Sequence, residues 1–475
     1  MKRNKLHYLF YAVMIVAVGI VAYNYICEPY LDYDQAGQFF ISQGLNHYSK
    51  PFSEPGKLWD VVLNNRDYNK DPGGFSLLLY LWEKGGTGYQ YLHLLPFLIF
   101  MAFCIILALI VYSQSNSRFI AFATFCLPFF LPVFTNRVAE IRAYGMEMLG
   151  VVLTILLIMR YKERLSVGRL LILSTTQSVF CTSRYGFIVV SAALSLRILY
   201  LLYRQTRISE FLKRTFVYSL PLIATVATIY LMSMRYQTGV SYYPYIFSTP
   251  SLLVKSPLSL LFYACLMSYA YWHHKGAVPE LCIDAILVAA LFFLLSCANL
   301  YPWGIRTISA LLLMTFSMLI TLFDAFRRWC NILSVVVTTV ALMVLIFFFP
   351  QIHRNRSKEP FIELCHFISS NRHGRIVITW WHNPSLRYHC EYGFLKNKST
   401  AYYPDRFVIY GGPKHNAIGS EIEKEESVEG ATYILLEETT TKRFNHAKGY
   451  KHIYLVESRK SIKNMSSTDS ININH

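Results

Sequence analysis

Runs of about 20 apolar residues recur along this chain, and no other feature restricts its folding as tightly, because a helix of that length just spans the hydrocarbon core of a bilayer. They lie at 8–27, 92–112, 118–135, 143–160, 169–183, 187–203, 214–233, 258–272, 280–298, 305–323 and 331–350. Hydrophobic residues make up 54% of the 475 and charged residues only 15%. A soluble chain carries about 25% charged residues and has no interior large enough to hide this much apolar surface. The formal charge of +17 would suit nucleic acid if it formed a patch, but the cations punctuate the apolar runs instead. The expectation is a polytopic α-helical membrane protein with about eleven transmembrane helices.

The gaps between runs set an orientation. Arg118; Arg160, Lys162, Arg164 and Arg169; Arg204, Arg207, Lys213 and Arg214; Lys275; and Arg327 with Arg328 occupy alternate gaps, on the same side as Lys2, Arg3 and Lys5. Cytoplasmic loops carry such an excess of cations, so the amino end is expected in the cytoplasm. The first run lacks a small-residue cleavage site and reads as an uncleaved span. An odd number of spans then places two long segments outside, 28–91 and 351–475. The second has soluble character, with a helix expected at 359–370 and strands at 375–381, 431–436 and 452–456. This divides the chain into a membrane domain, 1–350, and a small C-terminal extracytoplasmic α/β domain, 351–475. Eight of the ten cysteines lie in or beside apolar runs as small hydrophobes. Cys365 and Cys390 share the tail, where their pairing stays open, and no zinc-type Cys/His spacing occurs.

Two stretches of the first outer segment carry the chemistry. Glu28-Pro29-Tyr30-Leu31-Asp32-Tyr33-Asp34-Gln35-Ala36 brings carboxylates out of the bilayer directly after the first span. Further on, Asp71-Pro72-Gly73-Gly74 opens a stripe of Phe75, Leu78, Leu79 and Trp82 at i, i+3, i+4 and i+7. That helix is too short to cross and is expected to lie along the interface with Asp71 at its amino end. Solvated loop acids and an ordinary amphipathic anchor are the plain alternatives.

The short outer gaps should be poor in cations, yet they hold Arg137, Arg142, Arg184, Arg235 and Arg306. Arg142, Arg184 and Arg306 also stand at the amino ends of spans, where the helix dipole disfavours a cation. An anion relieves both conflicts, and guanidinium forks at helix amino ends suit phosphate. The competing reading has these side chains reach lipid headgroups or pair internally, as Arg137 with Glu140. Tyr144 and Tyr185 stand beside them as candidates for sugar hydroxyls.

Taken in order, Asp34-Gln35-Ala36 after the first span, Asp71-Pro72-Gly73-Gly74 opening an interfacial helix, and Arg142-Ala143-Tyr144 opening a span resemble the GT-C glycosyltransferase superfamily. The likeness is to its bacterial branch, related to protein O-mannosyltransferases and aminoarabinose transferases. The resemblance implies transfer of a sugar from a polyprenyl-phosphate donor to an extracytoplasmic glycan, lipid or protein acceptor, with inversion. It makes Asp34 the catalytic carboxylate, with Asp32 as rival, and gives Asp71 an acceptor-positioning or supporting role. Arg137, Arg142, Arg184 and Arg306, with Tyr144 and Tyr185, would line the phosphate and sugar site. No cofactor is demanded; Gln35 removes one potential metal ligand, and a divalent metal remains open. The expected partners are the lipid-linked donor, the acceptor and membrane lipids, with no nucleic acid, and the expected location is a bacterial inner membrane. A lipid-linked sugar flippase or other transporter, with its charges near mid-membrane, is a competing class. A polysaccharide polymerase or ligase without the first-loop motif is another.

Overall fold

The structure is a computed structural model that describes residues 2–27, 31, 33–46, 53–69, 71–116, 118–130, 140–236, 280–297, 375–379, 383–392, 407–410, 431–436 and 452–455. Its helices, in chain order, are α1 (Lys2–Ile26), α2 (Tyr33–Ser42), α3 (Leu58–Tyr68), α4 (Gly74–Glu83), α5 (Tyr89–Ser115), α6 (Arg118–Phe130), α7 (Tyr144–Tyr161), α8 (Val167–Cys181), α9 (Tyr185–Gln205), α10 (Ile208–Met232), α11 (Glu280–Cys297) and α12 (Asn383–Glu391). The chain divides into two compact units. The first comprises Met1–Tyr25, Val62–Leu79 and His93–Ile346; the second Ile26–Val61, Tyr80–Leu92 and Phe347–His475.

The described part is mostly helical, and four of its helical stretches are long and apolar enough to cross a membrane: Tyr89–Gln114, Tyr144–Tyr161, Tyr185–Gln205 and Ile208–Tyr236. Shorter apolar helices include Met14–Ile26, Val167–Cys181 and Ile283–Phe292. The chain is therefore a helical membrane protein. Helices occupy the first part of the run at 118–135, whereas the runs at 258–272, 305–323 and 331–350 lie outside the described residues.

Within the first unit, α8 packs on α7 and α10, and α9 packs on α7 and α11. Gly150 lets α7 and α8 close up: a Cβ there would stand 2.5 Å from the Phe180 ring, so any larger residue forces the helices apart. In lipid the apolar faces gain little from meeting each other, and polar links supply part of the specificity. The Tyr218 hydroxyl of α10 donates to Gln177 Oε1 of α8 at 2.5 Å and lies 2.7 Å from Ser195 Oγ of α9. Arg197 of α9 donates to the Asp284 carboxylate of α11, and both residues are buried. Cys104, Cys126 and Cys181 are buried free thiols, as their apolar surroundings suggest.

In the second unit α12 packs on α2. The ring of Phe39 meets Tyr388 and Tyr392 edge-on, with centroids 5.1 and 5.0 Å away. Arg387 lies 4.2 Å over the Phe40 ring and binds Glu391 one turn on, at 2.7 Å. Tyr388 donates its hydroxyl to the Thr87 carbonyl at 3.0 Å, and the Leu31 N–H donates to His389 Nε2 at 3.5 Å. Burial lowers the His389 imidazole from 6.5 to about 3, so the ring stays neutral and its Nε2 can accept that bond. The α3 helix starts on a reach-back cap, in which the Asp60 carboxylate accepts the Lys57 N–H at 2.7 Å. Four short strands, β1 (Arg375–Thr379), β2 (Phe407–Tyr410), β3 (Ala431–Leu436) and β4 (His452–Leu455), form a sheet of order β2-β1-β3-β4. The inner strand β1 runs parallel to β2 and β3, while β4 is antiparallel to β3. The helix expected at 359–370 lies outside the described residues, as does Cys365.

Candidate functional site

The turn that opens α4 is built for close approach. Gly73 has φ +104°, a conformation that side-chain-bearing residues rarely adopt, and a Cβ there would also meet Asn65 Nδ2 at 2.9 Å. The Gly74 N–H donates to the Thr182 carbonyl at 2.8 Å, and a Cβ on Gly74 would stand 2.1 Å from Thr182 Oγ1. Gly74 thus lets the start of α4 press onto the turn between α8 and α9, while Gly73 lets the same turn close on Asn65. Asn65 fixes the turn from the other side. Its Nδ2 donates to the Asp71 carbonyl at 2.8 Å, while its Oδ1 accepts from Ser76 Oγ at 2.6 Å and from Asn69 Nδ2 at 3.0 Å. A single buried amide therefore holds the Asp71 backbone in place.

The Asp71 side chain meets Arg184, which stands immediately before α9 with extended backbone, φ −149° and ψ 150°. Arg184 Nε donates to Asp71 Oδ1 at 3.3 Å, and its Nη1 donates to Glu147 Oε2 at 2.7 Å. Its guanidinium carbon lies 4.1 Å over the ring of Tyr144. Tyr144 and Glu147 occupy the first turn of α7 at i and i+3, on one face. Two carboxylates and an aromatic face thus surround one guanidinium. Burial differs sharply among them: side-chain exposure is 11% for Asp71, 6% for Arg184 and 0% for Glu147. Asp71 is the carboxylate with some access to solvent, and Glu147 backs the arginine from behind.

This arrangement answers the question posed by a cation at a helix amino end. Arg184 faces two of the chain's own carboxyl groups, as in the internal-pairing reading. Breaking such a pair by removing one partner is strongly unfavourable, so the cluster has one preferred geometry. Tyr185, next in sequence, places its hydroxyl 2.8 Å from Ser233 Oγ at the end of α10. Just beyond, Arg235 and Arg66 lie 4.7 and 4.5 Å from the centre of the Tyr236 ring. The cluster stands at the amino ends of α7 and α9, whereas Lys162, Arg164 and Arg207 follow their carboxyl ends.

Three segments singled out separately in the sequence, the Asp71 turn, Arg142-Ala143-Tyr144 and Arg184, thus come together in the first unit. Arg142 itself is half-buried in the turn before α7, where its N–H donates to the Glu140 carbonyl at 2.7 Å. Asp34 belongs to the second unit, exposed in the first turn of α2. Asp32, Arg137 and Arg306 lie outside the described residues. Asn65 and Glu147 were not singled out in the sequence. A carboxylate inside an apolar span was the signal for Glu147, since such groups need a partner. Asn65 gave none, because its role rests on backbone it reaches across a turn. Among the described residues, no group of three or more His, Cys, Asp or Glu side chains is placed to hold a metal ion. Neither a family model nor a curated protein matches the chain.

Proposed function

We propose that the chain is a membrane glycosyltransferase of the GT-C type that moves a sugar from a polyprenyl-phosphate donor to an extracytoplasmic acceptor with inversion. The observation that supports this most is the convergence of the Asp71 turn, the Arg-x-Tyr segment and Arg184 on one partly accessible carboxylate. In this reading the leaving phosphate needs fixed cationic donors more than a proton, a task for Arg142, Arg137 and Arg306. Arg184 serves first to hold Asp71, and Tyr144 to hold Arg184. Asp34 is the proposed base for the acceptor and Asp71 orients it, the division that the resemblance implies. The finer topology belongs to the same proposal: eleven spans, amino end in the cytoplasm of a bacterial inner membrane, and residues 351–475 as an extracytoplasmic α/β domain.

One observation favours a second reading. Arg197 and Asp284 form an ion pair inside apolar helices, the kind of placement expected of a transporter of lipid-linked sugars. A single comparison separates the two. Purified full-length protein is given a panel of polyprenyl-phosphate sugars, and both transfer and transbilayer movement are followed for wild type, Asp34→Asn, Asp71→Asn and Arg142→Ala at equal folded yield. The transferase reading expects Asp34→Asn to lose roughly 10²–10⁴-fold in turnover while still binding donor. Full turnover by Asp34→Asn with loss in Asp71→Asn moves the base to Asp71. Movement without transfer replaces the proposal with the transporter.

A further inference from the structure

The turns that join α7 to α8 and α9 to α10 carry a cationic surface that the chain itself does not neutralise. Residues 160–169 and 204–214 hold eight lysines and arginines against two carboxylates, Glu163 and Glu210. Glu210 is engaged by Arg214 on its own helix, at 2.7 Å. Like charges gathered in this way repel one another unless the surface faces counter-charge.

Three side-chain hydrogen bonds make the surface one piece. Gln205, at the end of α9, accepts the Leu165 N–H through Oε1 at 3.2 Å and donates through Nε2 to the Lys162 carbonyl. From α10, Arg214 Nη1 donates to the Leu165 carbonyl at 2.9 Å. The turn at 162–165 is thus gripped from α9 and α10 together, while Arg164, Arg207 and Lys213 around the grip stay exposed. Aromatic rings stand at the same level: Arg204 lies 5.9 Å from the centre of the Tyr200 ring, and Tyr203 meets Phe211 edge-on at 5.8 Å. Tyrosines beside cations at the ends of spans mark the headgroup layer of a bilayer.

An apolar face starts where the cations do. Along α10, Ile208, Leu212, Phe216, Leu220 and Ile223 are all exposed. Their spacing keeps them within about a third of the helix circumference, and they run about 22 Å along its axis. One leaflet supplies only half of the roughly 30 Å hydrocarbon core, so this face is long enough to lie against a whole acyl chain. The buried residues of α10 are Tyr218 and Ile229, which leaves the helix thinly seated.

We propose that the two turns and α10 form a binding site for an anionic phospholipid, with the headgroup phosphate on Arg164, Arg207 and Lys213 and an acyl chain along the Ile208–Ile223 face. The lipid is a structural partner that completes the seat of α10. A zwitterionic lipid brings its own cation to a surface already rich in them, and a free phosphate meets only the charged half of the site. The inference goes beyond the transferase reading and does not depend on it.

Native mass spectrometry of the full-length protein in detergent tests this, with three probes: phosphatidylglycerol, phosphatidylcholine with the same chains, and the water-soluble headgroup glycerophosphoglycerol. Wild type is expected to hold phosphatidylglycerol at least about tenfold more tightly than phosphatidylcholine, and the soluble headgroup in large excess should not displace it. Each cation beside an anionic surface is worth about fivefold in binding, so the triple variant Arg164→Gln, Arg207→Gln, Lys213→Gln should lose at least about tenfold. Phosphatidylglycerol should also raise the Tm of wild type but not of this variant, whose Tm without lipid should match wild type because the three side chains are exposed. A second triple variant, Lys2→Gln, Arg3→Gln, Lys5→Gln, removes the same charge elsewhere and should bind like wild type. Equal retention of the two lipids, equal loss in both triple variants, or displacement by the soluble headgroup overturns the site.

Discussion

Replacing Gly74 by alanine tests whether the Asp71 turn is held by close backbone approach. The added Cβ would stand 2.1 Å from Thr182 Oγ1, 2.7 Å from Thr182 Cβ and 2.8 Å from the Thr182 carbonyl oxygen. Rotating the threonine removes only the first clash; the other two require the start of α4 to retreat. Overpacking of this kind costs about 1–3 kcal/mol. The retreat also lengthens the 2.8 Å bond from Gly74 N–H to Thr182, worth about 0.5–1.5 kcal/mol. The helix propensity of alanine returns less than about 1 kcal/mol in a first turn. A net loss of about 2–3 kcal/mol is expected, seen as a fall of a few degrees in Tm. Because Asp71 rides on this turn, the transferase reading expects transfer to fall with it. Thr182→Gly removes the side-chain clashes, so a double-mutant cycle should return a coupling of at least about 1 kcal/mol. Simple additivity of the two changes, or an unaltered Tm for Gly74→Ala, would show that the packing described for this turn is not what holds it.

Two further outcomes follow from the buried ion pairs. Glu147→Gln removes the fully buried carboxylate from Arg184 and is expected to cost about 3–5 kcal/mol, read by thermal unfolding, whereas Glu147→Asp should recover part of the loss. Arg197→Met and Asp284→Leu should each destabilise by a similar amount, while the double variant should unfold close to wild type, because two matched apolar groups leave no stranded charge. A double variant as unstable as the singles would refute that account.

The sequence was most legible where physics acts on long stretches. Lipid-facing helices must be continuous and apolar, so α5, α7, α9 and α10 stand out by length and hydropathy. The Asp71 motif was legible as a helix start, and its Pro and Gly residues pointed to a special turn. Its partner was not, because Arg184 lies 113 residues away and pairing across such distances leaves no local trace. An arginine at the amino end of an apolar run is odd in sequence, but the run does not say whether its anion comes from outside or from the chain itself. Glu147, hidden three residues after Tyr144, supplies an inside one.

The pairing of Arg197 with Asp284 also bears on how the chain is made. The two residues are separated by 87 positions, so α9 leaves the ribosome well before α11 exists. At about 5–20 residues per second, the guanidinium waits several seconds without its counter-ion. A lone arginine at mid-bilayer costs about 2.5–3.5 kcal/mol even by translocon measures. Insertion of α9 is therefore provisional: until α11 arrives, the nascent helix must linger at the translocon, shelter behind an insertase or sit displaced toward one leaflet. Chains cut short before Asp284 should be recognised by membrane quality control as unfinished.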